Sequence, residues 1–254
     1  MGEIACSRFV GKTALVTGGG SGFGAGIARR LALEGARVAV VDLDVEAAQS
    51  VAGKLGGGAL AFEADVSSNE AVEDLAGKVL AAFGHLDVLI NNAGIGHSPQ
   101  PLEGLPEEQF DRIFRVNAKA VYLTSRHFVP AMKRSGGGAI LNVASTGAVR
   151  PRPGLTWYNA SKGWMTAATR AMAIELAPSA IRVNAINPVA GDTPLLATFM
   201  GENSEEARAR MVASIPLGRL STPEDMAAAA AYLCSDDAAM VTGIALEVDG
   251  GRCI

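Results

Sequence analysis

Tyr158 and Lys162 stand four residues apart in the stretch YNASK, a spacing that puts a phenol and an ammonium side by side on one face of a helix. Positive charge beside a phenol favours the phenolate, bringing the group down from its ordinary value of about 10 toward a pH where it accepts a proton. An isolated pair of this spacing is better explained by a surface tyrosine lying over a lysine stem. Ser145, however, closes the β-rich run AILNVAS just upstream, so hydroxyl, phenol and ammonium can meet above the strand ends of a parallel α/β sheet. Such a trio suits proton transfer. No histidine or aspartate is placed to complete a hydrolase triad, and the G-x-S-x-G elbow is absent.

A second chemistry is written near the start of the chain. The run TALVT passes into TGGGSGFG, where Gly18, Gly22 and Gly24, with Ser21 and Phe23 between them, precede the helical pattern AGIARRLA. A glycine-rich strand-to-helix turn lets a pyrophosphate approach the backbone and the open N–H groups of the helix. A turn needed only for tight helix packing is the plainer alternative, and two acidic positions weigh against it. Asp42 ends the next apolar run, about twenty residues on, where a carboxylate accepts from ribose hydroxyls. Asp65 and Val66 follow the third run, placed to meet an adenine ring. A carboxylate at Asp42 repels the extra phosphate of NADP, and Ser21 and Leu43 stand where an NADP site offers Arg or Lys. The expected cofactor is NAD.

These groups need a scaffold that brings both ends of the chain together. Short β-branched runs at 13–17, 37–42, 59–64, 86–91, 139–145, 181–187 and 245–250 alternate with helical patterns at 22–34, 44–55, 68–83, 107–134, 155–177 and 223–235. The last helix has a clear start, with Thr222 as cap, Pro223 in the first position and Glu224 and Asp225 at the positive end of the dipole. The alternation predicts the α/β class: a single-domain, Rossmann-like, doubly wound seven-stranded parallel sheet with helices on both faces, spanning 1–254. The segment from about 189 to 220 is long for a connection and reads as a substrate lid.

Composition narrows the partners. A net charge of −4 with no basic cluster argues against nucleic acid. The longest apolar run, MAAAAAYLC from Met226, is too short to span a bilayer, so no membrane partner and a cytoplasmic location are expected. Cys6, Cys234 and Cys253 form no CxxC pair and lie far from His85, His97 and His127 in sequence, so neither a disulfide framework nor a metal site is expected.

Taken together, TGGGSGFG, Asp65, NNAG at 91–94, Asn117 in RVNAKAVY, Ser145, YNASK, and NP at 187–188 followed by Thr193 make the sequence resemble the short-chain dehydrogenase/reductase family over essentially its whole length. The resemblance implies that Tyr158 is the general acid/base, that Lys162 holds the nicotinamide ribose and keeps the tyrosine pKa low, and that Ser145 orients the substrate oxygen. It implies that Asn117 holds a water linking Lys162 to solvent, that Asn91 steadies the central sheet, and that Ala93 and Gly94 approach the cofactor closely. Pro188 and Thr193 would meet the nicotinamide side or the phosphates. One departure stands out: Val189 follows Pro188 where the family often has glycine, and Gly191 comes two residues later. The resemblance also implies a homotetramer built on the helices at 107–134 and 155–177 and the final strand.

The expected reaction is NAD-dependent interconversion of a secondary alcohol (a sugar, polyol, hydroxy acid or simple alcohol) and its ketone. An alternative within enzymes is an NADPH-dependent 3-oxoacyl-[acyl-carrier-protein] reductase, disfavoured by Asp42 and by the lack of a basic residue before Gly22. A different class, a nucleotide-sensing regulator without catalysis, is disfavoured by the intact Ser145, Tyr158 and Lys162. The nearest cues to substrate contacts are His97, Arg152, Trp157 and Leu195, with Phe199 and Met200 on the lid. Arg150 or Arg152 could pair with an anionic group, against the plainer reading of surface arginines on a loop.

Overall fold

The computed structural model describes residues 7–200 and 204–254; Cys6 lies outside the described residues. β1 (Thr13–Thr17) shows how the sheet is built, for all five of its residues are buried. Ala14 and Val16 pack into one apolar layer and Leu15 into the other, as expected of a strand covered on both faces. β2 (Arg37–Asp42), β3 (Leu60–Glu63), β4 (Val88–Asn91), β5 (Gly138–Val143), β6 (Ile181–Pro188) and β7 (Ala245–Val248) complete a seven-stranded sheet in the order β3-β2-β1-β4-β5-β6-β7. Every pairing is parallel. The chain winds one way from β1 to β3 and the other way from β4 to β7. A crevice therefore opens at the carboxyl ends of β1 and β4, where such sheets bind ligands.

α1 (Gly22–Leu33), α2 (Val45–Leu55) and α9 (Pro223–Cys234) cover one face through Ile27, Leu31, Ala48 and Met226. α3 (Asn69–Phe83), α5 (Ala120–Arg134) and α6 (Thr156–Leu176) cover the other through Val72, Leu75, Leu123, Phe128 and Leu176. The expected start of α9 is a full capping box: Thr222 Oγ1 accepts from the Asp225 N–H, and the Asp225 carboxylate accepts from the Thr222 N–H.

Three differences from the sequence reading have local causes. The helix expected over 107–134 is α4 (Glu107–Phe114), a π-helical segment (Arg115–Lys119) and then α5. Inside that segment Asn117 turns its amide inward to both the N–H and the C=O of Ile95, at 2.9 Å each. The connection at 189–220 carries α7 (Pro194–Met200) and α8 (Ser204–Ala213), held by an apolar cluster of Val189, Leu196, Met211, Ile215 and Leu220. β5 stops at Val143, so Ser145 lies beyond the strand and caps a 3-10 turn (Thr146–Ala148), its Oγ accepting from the Gly147 N–H at 3.0 Å. No helix among the described residues is long and apolar enough to cross a membrane.

Candidate active site

The glycine-rich turn is held from behind by β4. Asn92 donates through Nδ2 to the carbonyls of Thr17 and Gly18, at 2.9 Å each, and the N–H groups of Asn92 and Ala93 donate to Thr17 Oγ1 at 3.0 and 3.1 Å. Gly18 and Gly22 take left-handed φ of +60° and +51°, conformations that cost a side-chain-bearing residue strain. A Cβ on Gly24 would overlap the Gly18 carbonyl, so the helix begins directly against the turn. Ser21 caps α1 without a side-chain hydrogen bond, which leaves the first N–H groups of the helix available to an anion. Asp42 Oδ2 accepts from the Gly20 N–H at 2.9 Å and Oδ1 from the Asp44 N–H at 3.1 Å. On the opposite side Thr193 stands 3.2 Å from the point where a Gly22 Cβ would be, and the Phe23 ring lies on Gly191.

From this turn a cavity of about 1060 Å³ runs past Leu43, Asp65, Val66, Ala93, Gly94 and Pro188 to Ser145, Tyr158 and Lys162. Tyr158 and Lys162, one turn apart in α6, are both buried. Lys162 Nζ donates to the Val143 carbonyl at 2.9 Å and lies so near Gly94 that a Cβ there would stand 3.2 Å from it. Burial pushes this ammonium down to about 8, because the charged form loses its hydration. Burial pushes the Tyr158 phenol up, opposed by a hydrogen bond with Ser145 and by the charge of Arg152. Arg152 thus adds its charge beside the phenol, while the Lys162 ammonium donates to a backbone carbonyl. α7 brings Phe199 against the phenol, its ring centroid 5.0 Å from that of Tyr158.

Behind these side chains lies a buried polar chain. Thr124 donates to Asn91, Asn91 to Asn142 and Asn142 to Thr169, at 2.7 to 2.9 Å. Asn117 also donates to Ser161 Oγ at 3.0 Å, tying the π-helical segment to α6. Asn91 and Asn117 are thus braces behind the cavity wall, with their side-chain groups engaged by protein. Among the described residues no group of three or more His, Cys, Asp or Glu side chains stands together as a metal site.

The family described as Enoyl-(Acyl carrier protein) reductase matches residues 18–252. The 4-formylbenzenesulfonate dehydrogenase TsaC1/TsaC2 of Comamonas testosteroni is 47% identical over 245 residues, covering 95% of this chain and 97% of the relative. The cyclohexanol dehydrogenase of Acinetobacter sp. (strain SE19) is 40% identical over 253 residues, covering 98% of each. A crystal structure of 3-ketoacyl-(acyl-carrier-protein) reductase from Brucella melitensis, complexed with NADH, superposes with a TM-score of 0.93 at 54% identity, over 97% of this chain and 100% of that one. The chain is a short-chain dehydrogenase/reductase.

For this dehydrogenase/reductase the substrate contacts read from sequence divide into two groups. Arg152 and Leu195 line the cavity, as do Phe199 and Met200. His97 and Trp157 do not. His97 is buried with Nδ1 2.9 Å from the Ser98 carbonyl, and Trp157 donates to the Leu102 carbonyl at 3.0 Å with its ring edge-on to Phe110. Each is held by local partners that adjacency to the motifs does not reveal. Thr17 and Asn92, which lock the glycine turn, were legible only as a strand end and a turn. Arg252 reaches the cavity wall from far along the chain, and no spacing announces it. Cys234 and Cys253 are poor nucleophiles, with burial pushing their thiols to about 12 and about 11.

Proposed function

We propose that this dehydrogenase/reductase uses NAD to interconvert a small secondary alcohol and its ketone, and that it works as a homotetramer. The observation that carries the reading is one continuous cavity joining the glycine turn and Asp42 to the Ser145, Tyr158 and Lys162 trio. The residues fit a dinucleotide: glycines leave room where a Cβ would collide, and α1 offers its N-terminal N–H groups. When bound, the dinucleotide supplies the two-electron acceptor for the carbinol hydrogen. The protein supplies proton transfer and positioning. Tyr158, as phenolate, removes the hydroxyl proton, and Ser145 donates to the oxygen as it becomes a carbonyl. Lys162, whose Nζ lies near Gly94, would hold the nicotinamide ribose, and Asn117 braces the neighbouring loop at Ile95. Thr193 closes the turn from the lid side.

Asp42 supports NAD over NADP. Its carboxylate stands against the turn, and neither residues 18–24 nor residues 41–43 bring a lysine or arginine to the cavity wall. A second reading, reduction of a 3-oxoacyl carrier-protein thioester, has the 54% identical structure in its favour. Both are tested by following nicotinamide absorbance with NAD and NADP over sugars, polyols, hydroxy acids and secondary alcohols, and with NADH and NADPH over an acetoacetyl carrier protein. Tyr158→Phe is expected to lower kcat by about 10²- to 10⁴-fold. Turnover undiminished in that variant overturns the mechanism, and a preference for NADP overturns the cofactor assignment.

A further inference from the structure

After β7 the chain turns sharply through Gly250 and Gly251, at φ +62° and +88°. The Asp249 carboxylate accepts the N–H groups of Gly251 and Cys253, at 2.9 and 2.7 Å. Arg150, in the loop that follows Ser145, donates through Nη1 to the carbonyls of Arg252 and Ile254, at 2.6 and 3.1 Å. Of the two arginines singled out in the sequence, Arg150 is thus a clamp on backbone and stands off the cavity wall. Its clamp fixes residues 249–254 so that the Arg252 side chain returns to the wall, where Arg152 already stands beside Tyr158.

These two guanidiniums have an unusual setting. Arg152 Nη2 and Arg252 Nε and Nη1 are withdrawn from solvent and have no acceptor among the described residues. The carboxylates on the cavity wall are Asp42 and Asp65, both at the glycine-turn end, and Asp249 has both oxygens on backbone N–H groups. Burial and then the charge of Arg252 push the Arg152 guanidinium below its usual range. Both residues are only partly buried, but guanidinium N–H groups that are withdrawn from solvent and unfilled are costly unless an acceptor joins them, and a planar fork is the geometry that pairs with an oxyanion. The pyrophosphate is served by the other end, at Gly18 to Gly24 and Thr193, whereas Arg152 acts on Tyr158.

The geometry points to Arg152 and Arg252 as a two-arginine receptor for a carboxylate or sulfonate carried by the substrate, holding the molecule by its anionic end while its carbinol meets Tyr158 and Ser145. This rests on the dehydrogenase reading and names its substrate class: secondary alcohols, or their ketones, that bear an oxyanion.

Two measurements separate the receptor from the reaction. With NAD saturating, kcat/KM is compared for 1-(4-carboxyphenyl)ethanol and its neutral carboxamide. The acid-to-amide ratio is expected to fall by about 30-fold in Arg252→Gln and in Arg152→Gln, about 2 kcal/mol at 1.36 per tenfold, and to be partly kept in Arg252→Lys. Separately, calorimetry on the NAD-loaded protein titrates benzoate, benzenesulfonate and benzamide, which carry no carbinol. Both anions are expected to bind, benzamide not, and the double glutamine variant to lose the anions. Anion binding unchanged in that variant, no anion binding in the wild type, or equal losses on acid and amide overturn the receptor. So does an equal loss of NAD affinity, which reassigns the arginines to the dinucleotide. Arginine-dependent anion binding without turnover of any alcohol upholds the receptor and removes the dehydrogenase reading instead.

Discussion

A buried ammonium is expensive, and Lys162 shows where the expense falls. Its pKa is pushed down to about 8 by burial, so between about 8 and its ordinary 10.5 the unfolded chain binds a proton that the native protein does not. Stability contributed by this site therefore rises with pH across that window and is lowest below it. Lys162→Met removes the charge and also the hydrogen bond to Val143. The variant is expected to gain stability relative to wild type at pH 7 and to lose that advantage by pH 10, measured as the difference in urea midpoint at the two values. A difference independent of pH would show that the native ammonium is not desolvated. Function retains a residue that stability disfavours. At this scale the motif residues were legible because their spacing in sequence is their spacing on one helix, as with Tyr158 and Lys162. The cation beside Tyr158 was not, since Arg152 reaches the phenol from the preceding loop, and Arg252 arrives only through the turn at Gly250.

Elements place these groups by how closely backbones approach, and two glycines set opposite expectations. Gly24 lies where α1 meets the turn, and an added Cβ would overlap the Gly18 carbonyl and stand 2.5 Å from Asn92 Nδ2. Gly24→Ala must push the helix off the turn. It is expected to cost about 1–3 kcal/mol and to weaken NAD binding at least tenfold, read by thermal melting and by titration of the nucleotide. Gly53, inside α2, has open space at its Cβ, so Gly53→Ala is expected to stabilise by about 0.5–1 kcal/mol with NAD affinity unchanged. Equal effects at the two positions would mean that the turn has no steric requirement for glycine. Periodicity disclosed the strands and most helices, because apolar alternation and caps such as Thr222 are local signals. The π-helical segment was hidden, since it turns on Asn117 finding Ile95 in another connection. So were α7 and α8, whose apolar residues serve a small cluster of their own rather than the main sheet.

At the scale of the whole molecule, the parallel sheet and its reversal at β1 followed from the alternation of strand and helix, but the outer surface of α6 poses a separate question. Trp164, Ala167, Ala171 and Ile174 recur at i, i+3, i+7 and i+10, so they form one stripe, and all four are exposed, Ile174 to 80%. The opposite side of the same helix is spent on Tyr158, Lys162, Met165 and Thr169. An apolar stripe with two small residues lets a second helix approach closely, and a contiguous exposed apolar patch marks an interaction surface. If the chain assembles as the homotetramer proposed above, this stripe would meet the α6 of a second copy about a two-fold axis, the arrangement in which one patch covers itself. Such contact would stiffen the helix that carries Tyr158, coupling assembly to catalysis. Ala167→Arg with Ile174→Glu puts bulk and charge on the stripe and touches nothing on the cavity wall. Light scattering is expected to find the wild type as a tetramer and the double variant as a smaller species, with its melting temperature lowered and dependent on protein concentration. A monomeric wild type, or a double variant of unchanged mass, would remove α6 from the interface.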